Sequence, residues 1–478
     1  KRKVIIHIQQ RLAYAHYHHF PARTIPPRTN AHDKHIFIVR YFVNIRYNED
    51  MNKRHTLTTV LGKTVRQVAR LRGGGSALPG LFVEKIDPSF VARTLKRLPR
   101  GIAIISGTNG KTTTTKMVVE LLEGQGLKVF TNRTGSNFTR GVAAALLGEA
   151  DIYGNLNADI AVLELDEAYA VHFVHAIRPN YCLLLNVMRD QLDRFGEIDT
   201  TAKLLHTVAT HTTSGIIVNR DDPRLGSRAF AIDITAPIRS YGVHPDLQSL
   251  FPSDDNLRGA HGKHTANYTD NDDTILESVN GQRATISFSG DTHAISLSLH
   301  GIYNVLNATG AIALTRMIMG DDLDTQKMLD SLSRITPAFG RGEQIMVSGQ
   351  PCELVLVKNP AGFRLSLASF SPDDYATMIA VNDNYADGRD MSWLWDVDFD
   401  SLRTQGVAEL SGIRAYDMAL RLQYELVEVS HVELNLTAAL KHFIDTNPNK
   451  PKRIYCTYTA MLRLRHELAR YTTVEEIA

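Results

Sequence analysis

The first residues able to do chemistry are Lys111 and Thr112, which close the run Gly107-Thr108-Asn109-Gly110-Lys111-Thr112. Glycines let backbone N–H groups close around an anion, and a lysine adds a point charge. A threonine hydroxyl in the next position sits where a phosphate-bridging Mg²⁺ needs an oxygen. The longer pattern G-x-x-x-x-G-K-[ST] is not met, because Ile105 stands where its first glycine belongs. Thr108, Asn109, Gly110, Lys111, Thr112 and Thr113 are therefore candidate ATP contacts in a compact variant of that loop. Such a loop needs an acid at the end of a second buried strand, to hold Mg²⁺ directly or through water. Glu164 closes the apolar run 160–163, with Asp166 and Glu167 beside it.

These groups need elements to hold them. The apolar run 102–105, bounded by glycine, predicts a buried parallel strand, and 116–122 repeats its apolar residues at helical spacing. Further strands are expected at 181–187 and 215–219, alternating with helices, which argues for a doubly wound α/β domain. Residues 245–295 turn polar, and 285–289 and 294–299 alternate like antiparallel strands, so a small β insertion is expected there. A helix over 301–319 begins with Asn304 and Asn307, amides able to bond a purine edge. The segment 337–343 reads as a turn and domain boundary, with Arg341 between glycines and able to reach nucleotide phosphates on domain closure.

A second α/β domain follows, with strands at 354–357, 376–381 and 453–457 and a strand–turn–helix over 407–422. Lys358 and Asn359 come directly after a strand, at the loop end where α/β folds place ligands. Asp383, Asp387 and Asp390 occupy the next such loop, which runs into both tryptophans of the chain, Trp393 and Trp395.

Length and composition bound the answer. The 478 residues have room for two or three domains, and the net charge of +2 argues against nucleic acid as a partner. The charge is uneven: residues 1–100 hold 20 Lys/Arg against 5 Asp/Glu, and the rest 33 against 46. A basic front end suits an anionic surface. Residues 1–50 are rich in His, Arg and Tyr, lack sustained periodicity, and read as a non-native or disordered extension. Residues 51–95 read as a basic amphipathic segment. Leu57, Val60, Leu61, Val65, Val68 and Leu71 share a helical face that either lies on a membrane or packs on the domain, and Leu78-Pro79-Gly80 reads as a turn. Three widely spaced cysteines form neither a disulfide framework nor a zinc pattern. With no signal peptide and no membrane-spanning run, a cytoplasmic protein is expected.

The motifs taken together, GTNGKTTTT, VLELDE, NVMRDQLDRFGE, YNVLNA, FGRGE, KNPAG and NDNYADGRDMSWLWD, resemble the MurT family, the ligase subunits of lipid II isoglutaminyl synthases. The resemblance runs from about residue 51 to the C-terminus, and its most specific part is DNYADGRDxSWLWD. It implies a Mur-ligase-like central P-loop ATPase domain over 96–336, with the β insertion, followed by a Rossmann-like C-terminal α/β domain over 337–478. It also implies ATP- and Mg²⁺-dependent amidation of the D-glutamate α-carboxyl of lipid II through an acyl phosphate, at the inner face of the cell membrane. A GatD-like glutaminase subunit would deliver the ammonia, and Asp390 would complete that partner's catalytic Cys and His. By the same resemblance Lys111 and Thr108–Thr113 contact phosphate, Thr112 and Glu164 hold Mg²⁺, Asn304 contacts adenine and Arg341 the nucleotide. Gln191 stands where many Mur ligases have a histidine, and Lys203 lies near the place of their carbamylated lysine. Lys358, Asn359, Asp383 and Asp387 are further candidates for substrate contact or domain closure. Unlike relatives with a four-cysteine zinc ribbon, residues 245–295 hold no cysteine, so no structural zinc is expected. The alternative within the superfamily is another amide ligase such as a folylpolyglutamate synthase.

Overall fold

Helix α1, over 55–69, opens the computed structural model, which describes residues 55–69, 78–132, 139–189, 198–253, 255, 273–299, 301–336, 341–369 and 372–472 (backbone only at 139 and 341–343). The helix packs on its own domain, yet through its polar residues: His55, Thr58, Thr59, Gly62 and Ala69 are buried while Leu57, Val60, Leu61 and Val68 are exposed. Gly62 allows this, because a side chain there would collide with Leu147 and Val83. Thr58 Oγ1 donates to Asp87 Oδ2 at 3.0 Å, and Asp87 also takes hydrogen bonds from Ser89 and Arg93. Leu78-Pro79-Gly80 does not form a turn; it is the first turn of α2 (Leu78–Ile86). Proline is tolerated there, where its missing N–H has no partner to lose. Gly80 brings α2 onto the backbone of Arg140, which a Cβ would meet at 1.8 Å. α3 (Phe90–Leu95) follows.

The first sheet then builds around β1 (Ile102–Ser106), all five residues of which are buried. After it come α4 (Lys111–Gly124), β2 (Val129–Thr131), α5 (Thr139–Glu149), β3 (Ile160–Glu164), α6 (Glu167–Ala176) and β4 (Tyr181–Leu184). Next are α7 (Ile198–His211), β5 (Gly215–Asn219), β6 (Ile238–Val243), β7 (Thr274–Asn280), β8 (Arg283–Phe288) and β9 (Asp291–Ser296). The strand order is β2-β3-β1-β4-β5-β6-β7-β8-β9, parallel through β7 and antiparallel beyond. Helices cover both faces. Ala103 and Ile105 turn to the core under α4 and α8 (Ile302–Met319), and Ile102 and Ile104 to the core under α2, α5 and α7. The expected insertion is thus three strands that extend the central sheet. β7 escaped the sequence reading because its second half, Glu277–Asn280, carries polar residues on both faces. Most of the polar stretch itself (254 and 256–272) lies outside the described residues.

Past α9 (Thr325–Arg334), Arg341–Val347 is not a turn but strand β10, hairpinned to β11 (Gln350–Leu356). Ser348 and Gly349 close the hairpin with φ of 51° and 79°, which sets the register from Arg341↔Val355 to Val347↔Gln350. The second sheet adds α10 (Pro360–Ser369), β12 (Ala376–Ala380), β13 (Glu409–Ser411), α11 (Ala415–Tyr424) and β14 (Val432–Glu433). It ends with α12 (Leu436–Thr446), β15 (Lys452–Cys456) and α13 (Tyr458–Leu468). Its order is β10-β11-β15-β12-β13-β14, parallel except at β10. The whole is a Mur-ligase-like α/β fold with a Rossmann-like C-terminal sheet. The C-terminal ends of the two sheets meet: Lys358 Nζ donates to Thr108 O at 3.2 Å, and Asn359 Nδ2 to Asn109 Oδ1 at 3.1 Å.

Candidate active site

The candidate phosphate loop sits at the C-terminal end of β1, which lies inside the parallel part of the first sheet between β3 and β4. Gly107 and Gly110 take φ of 132° and 88°. The positive φ of Gly110 favours glycine, and a Cβ there would lie 2.6 Å from Asn307 Oδ1 and push that amide aside. The loop is braced from β4: Thr108 N donates to Asn186 O at 3.0 Å, Asn109 N to Asn186 Oδ1 at 2.9 Å, and Met188 N to Thr108 Oγ1 at 3.1 Å.

Lys111 opens α4 and is only 6% exposed. Its Nζ donates to Gly107 O and Thr108 O and pairs with Glu167 Oε2 at 3.3 Å. Thr112 Oγ1 donates to Glu164 Oε1 at 2.9 Å. Glu164 is held in turn by Asn132, whose side chain both accepts from Glu164 N (3.0 Å) and donates to Glu164 O (2.8 Å). A hydroxyl and a carboxylate so placed form the hard-oxygen donor set that suits Mg²⁺. The Gly110 cradle and the N-terminus of α4 fit a phosphate chain.

Beside the loop lies a cleft of about 180 Å³, lined by Asn109, Gly110 and Thr113, by Asn304 and Asn307 of α8, and by Lys358 from the second sheet. Asn304 and Asn307 are one turn apart, with Asn307 Nδ2 3.5 Å from Asn304 Oδ1. The sequence reading missed the opposite wall, Asn219, Asp221, Asp222 and Tyr241. Burial pushes both aspartate carboxyls up, against the bonds they accept from Val243 N (Asp221) and from Val187, Leu225 and Arg224 N (Asp222).

The remaining candidates divide. Asp387 is buried and acts as a cap: Asp387 Oδ1 accepts from Thr459 N at 2.7 Å, in the first turn of α13. Asp383 Oδ2 takes a 2.9 Å bond from Arg414 Nε. Asp390 is partly exposed; its Oδ1 accepts from Ser392 N at 2.9 Å, and the Ser392 hydroxyl and N–H hold its carboxyl below the usual range. Lys203 is exposed on α7 and lines no part of the cleft. Arg341 starts β10, and its side chain, like all of Gln191, lies outside the described residues.

The segment that follows Asp390 leads to an aromatic surface. Trp395 meets Tyr424 edge-on at 5.2 Å, and Tyr416, Leu420 and Tyr424 stand exposed at i, i+4, i+8 on α11. Ile413 and Tyr385, the latter 91% exposed, add to the apolar area of these loops. The three cysteines are buried and free; burial pushes the Cys182 and Cys352 thiols up to about 12 and raises Cys456 as well.

Residues 105–315 match the Mur ligase middle-domain family, and residues 356–461 match the MurT ligase C-terminal family. Over 448 residues the chain is 30% identical to the lipid II isoglutaminyl synthase (glutamine-hydrolyzing) subunit MurT of Streptococcus pneumoniae, covering 88% of this chain and 98% of that one. The Staphylococcus aureus (strain N315) subunit of the same name is 27% identical, covering 77% and 87%. Among solved structures, MurF ligase from Thermotoga maritima in complex with ADP superposes with a TM-score of 0.59 at 16% identity, covering 82% of this chain and 84% of that one.

Proposed function

This chain belongs to the MurT family, and from that premise we propose that it amidates the D-glutamate α-carboxyl of the lipid II stem peptide to D-isoglutamine. It is an ATP-dependent ligase of peptidoglycan synthesis. In the proposed reaction the substrate carboxylate takes the γ-phosphoryl group of ATP, giving an acyl phosphate and ADP. Ammonia then attacks the acyl carbon and phosphate leaves.

Lys111 turns from Glu167 and the loop carbonyls to the phosphates. The loop N–H groups and the α4 terminus hold them in line, and Asn304 and Asn307 orient the base. Thr112 and Glu164 would hold Mg²⁺, which supplies positive charge to the phosphoryl oxygens when bound. Lys358 and Asn359 bring the second sheet onto the loop, consistent with closure over the nucleotide by residues 337–478.

One observation carries the source of ammonia. All three thiols of the chain are buried and raised, hence unsuited to nucleophilic attack, whereas Asp390 lies partly exposed beside an exposed aromatic face. That face suits a glutaminase partner of the GatD kind, with Asp390 orienting the partner's catalytic histidine.

Membrane seating has support of its own. Leu57, Val60, Leu61 and Val68 face outward beside Lys63 and Arg66, a pattern that suits the anionic inner face of a cell membrane. Among the described residues no helix is long and apolar enough to cross a membrane.

The test is mass-spectrometric assay of lipid II with ATP, Mg²⁺ and ammonium. Amidated lipid II with matching ADP release is the expected result. Inert lipid II together with glutamate transfer to a folate would move the chain to the folylpolyglutamate synthase reading.

A further inference from the structure

On the second sheet, at the ends of its strands opposite the nucleotide cleft, three ligating side chains converge. Glu409 is the first residue of β13, His431 directly precedes β14, and His442 lies on α12. His431 Nδ1 is 2.9 Å from Glu409 Oε1 and 3.1 Å from Oε2, and His442 Nδ1 is 2.7 Å from Oε2. The two imidazoles lie against each other with centroids 4.0 Å apart and their planes tilted by 37°. Glu409 is 0% exposed, and its ion-pair partners are these two histidines, with no lysine or arginine on it among the described residues.

A carboxylate withdrawn from water needs a cation to cancel its charge. Two imidazole nitrogens and a carboxylate turned on one point are the donor set that a divalent ion would bridge. The ligand atoms all lie within 4.8 Å of one another. A tetrahedral Zn²⁺ with bonds near 2.0–2.2 Å sets its ligands about 3.4 Å apart, so each imidazole nitrogen would draw back from the carboxylate by roughly 0.5–0.7 Å to admit one, a movement that partly exposed side chains can make. Both imidazoles are about two-fifths exposed, at 42% and 41%, which leaves a solvent side for entry and for a water as fourth ligand.

From this geometry we infer that Glu409, His431 and His442 bind a divalent transition-metal ion of the zinc class. Two imidazole nitrogens select such ions over Mg²⁺ and Ca²⁺. The site clips β13, the lead into β14 and α12 together at the edge of the sheet. It is independent of the proposed ligase reaction, since β13 reaches the cleft side only at Ser411, its other end. The expectation of no zinc rested on the cysteine-free stretch 245–295. These histidines are eleven residues apart in another domain, a spacing that matches no short metal motif.

The experiment takes the full chain, strips it with a chelator, and measures Zn²⁺ and Co²⁺ uptake by equilibrium dialysis under excess Mg²⁺. Wild type is compared with His431→Gln and His442→Gln. Histidines in residues 7–35 and the Thr112–Glu164 pair are common to all three, so the difference isolates the site. The inference expects each variant to bind one equivalent less and to lose a Co²⁺ visible absorption band that wild type shows. Equal uptake and equal spectra in correctly folded variants would overturn it. If a variant fails to fold, carbethoxylation of wild type, mapped by mass spectrometry, decides. Zn²⁺ should shield His431 and His442, and undiminished modification of both refutes the site.

Discussion

The phosphate loop and the Asp390 loop both leave the C-terminal ends of parallel strands, but they are finished to different degrees. Around Lys111 the groups are buried or half-buried and tied together: Glu167 and two carbonyls hold the ammonium, Thr112 holds Glu164, and Asn132 and Asn186 brace the backbone from beyond the ends of other strands. Asp390 leans on Ser392, two residues away; its loop carries exposed Tyr385 and Trp395, and Trp395 meets Tyr424 on α11. The contrast teaches where the catalytic unit is divided. On the proposed reading, nucleotide chemistry is contained within this chain, whereas the nitrogen-supplying half would need a second protein to cover its aromatic face.

The largest effect that would sharpen this contrast is Lys111→Ala, which is expected to lower ADP release and amidation about 10³-fold with either nitrogen source. A variant that kept its turnover with ammonium would break the claim that the nucleotide half is self-contained. Tyr416→Ala with Tyr424→Ala acts on the other half. Partner affinity should fall about 10–100-fold by calorimetry while ammonium-driven amidation stays unchanged.

A smaller effect concerns Asp87, which fastens α1 to α3. Burial alone would raise its carboxyl, but hydrogen bonds from Arg93, Ser89 and Thr58 win and hold it at about 2. Because the folded value lies below the unfolded one, the stabilisation, about 2 kcal/mol, is present above pH ~4 and is lost as pH falls through about 2. Asp87→Asn should remove it at neutral pH, read as earlier protection loss of 55–69 in hydrogen exchange. Smallest is the loss of affinity for anionic vesicles on Leu57→Ser with Leu61→Ser, expected to be several-fold by sedimentation.

How far the sequence reveals this depends on how local each feature is. Gly107–Thr112 and Glu164 are legible because strand, glycine and lysine adjoin in the chain. Asn132, Asn186 and the Asp221–Asp222 wall were not, since the groups they brace or face come from other strands of the sheet. The orientation of α1 defeated the usual rule that the apolar stripe turns inward, because Gly62 and two threonines permit a closer approach than leucines would. Pro79 and Gly80 read as turn residues but serve a helix start and a close helix contact. The segment after Gly340 read as a turn because its glycines hid the pairing of β10 with β11. The hydrogen bond by which Asp387 caps the first turn of α13 was not legible either, because Thr459 lies 72 residues further along the chain.

The most direct test compares wild type and Asp390→Asn, each with ATP, Mg²⁺, lipid II and the glutaminase partner, supplied with glutamine or with ammonium. The division of labour predicts that the variant fails with glutamine and matches wild type with ammonium. Equal loss with both nitrogen sources would place Asp390 in the ligase chemistry itself and contradict the account.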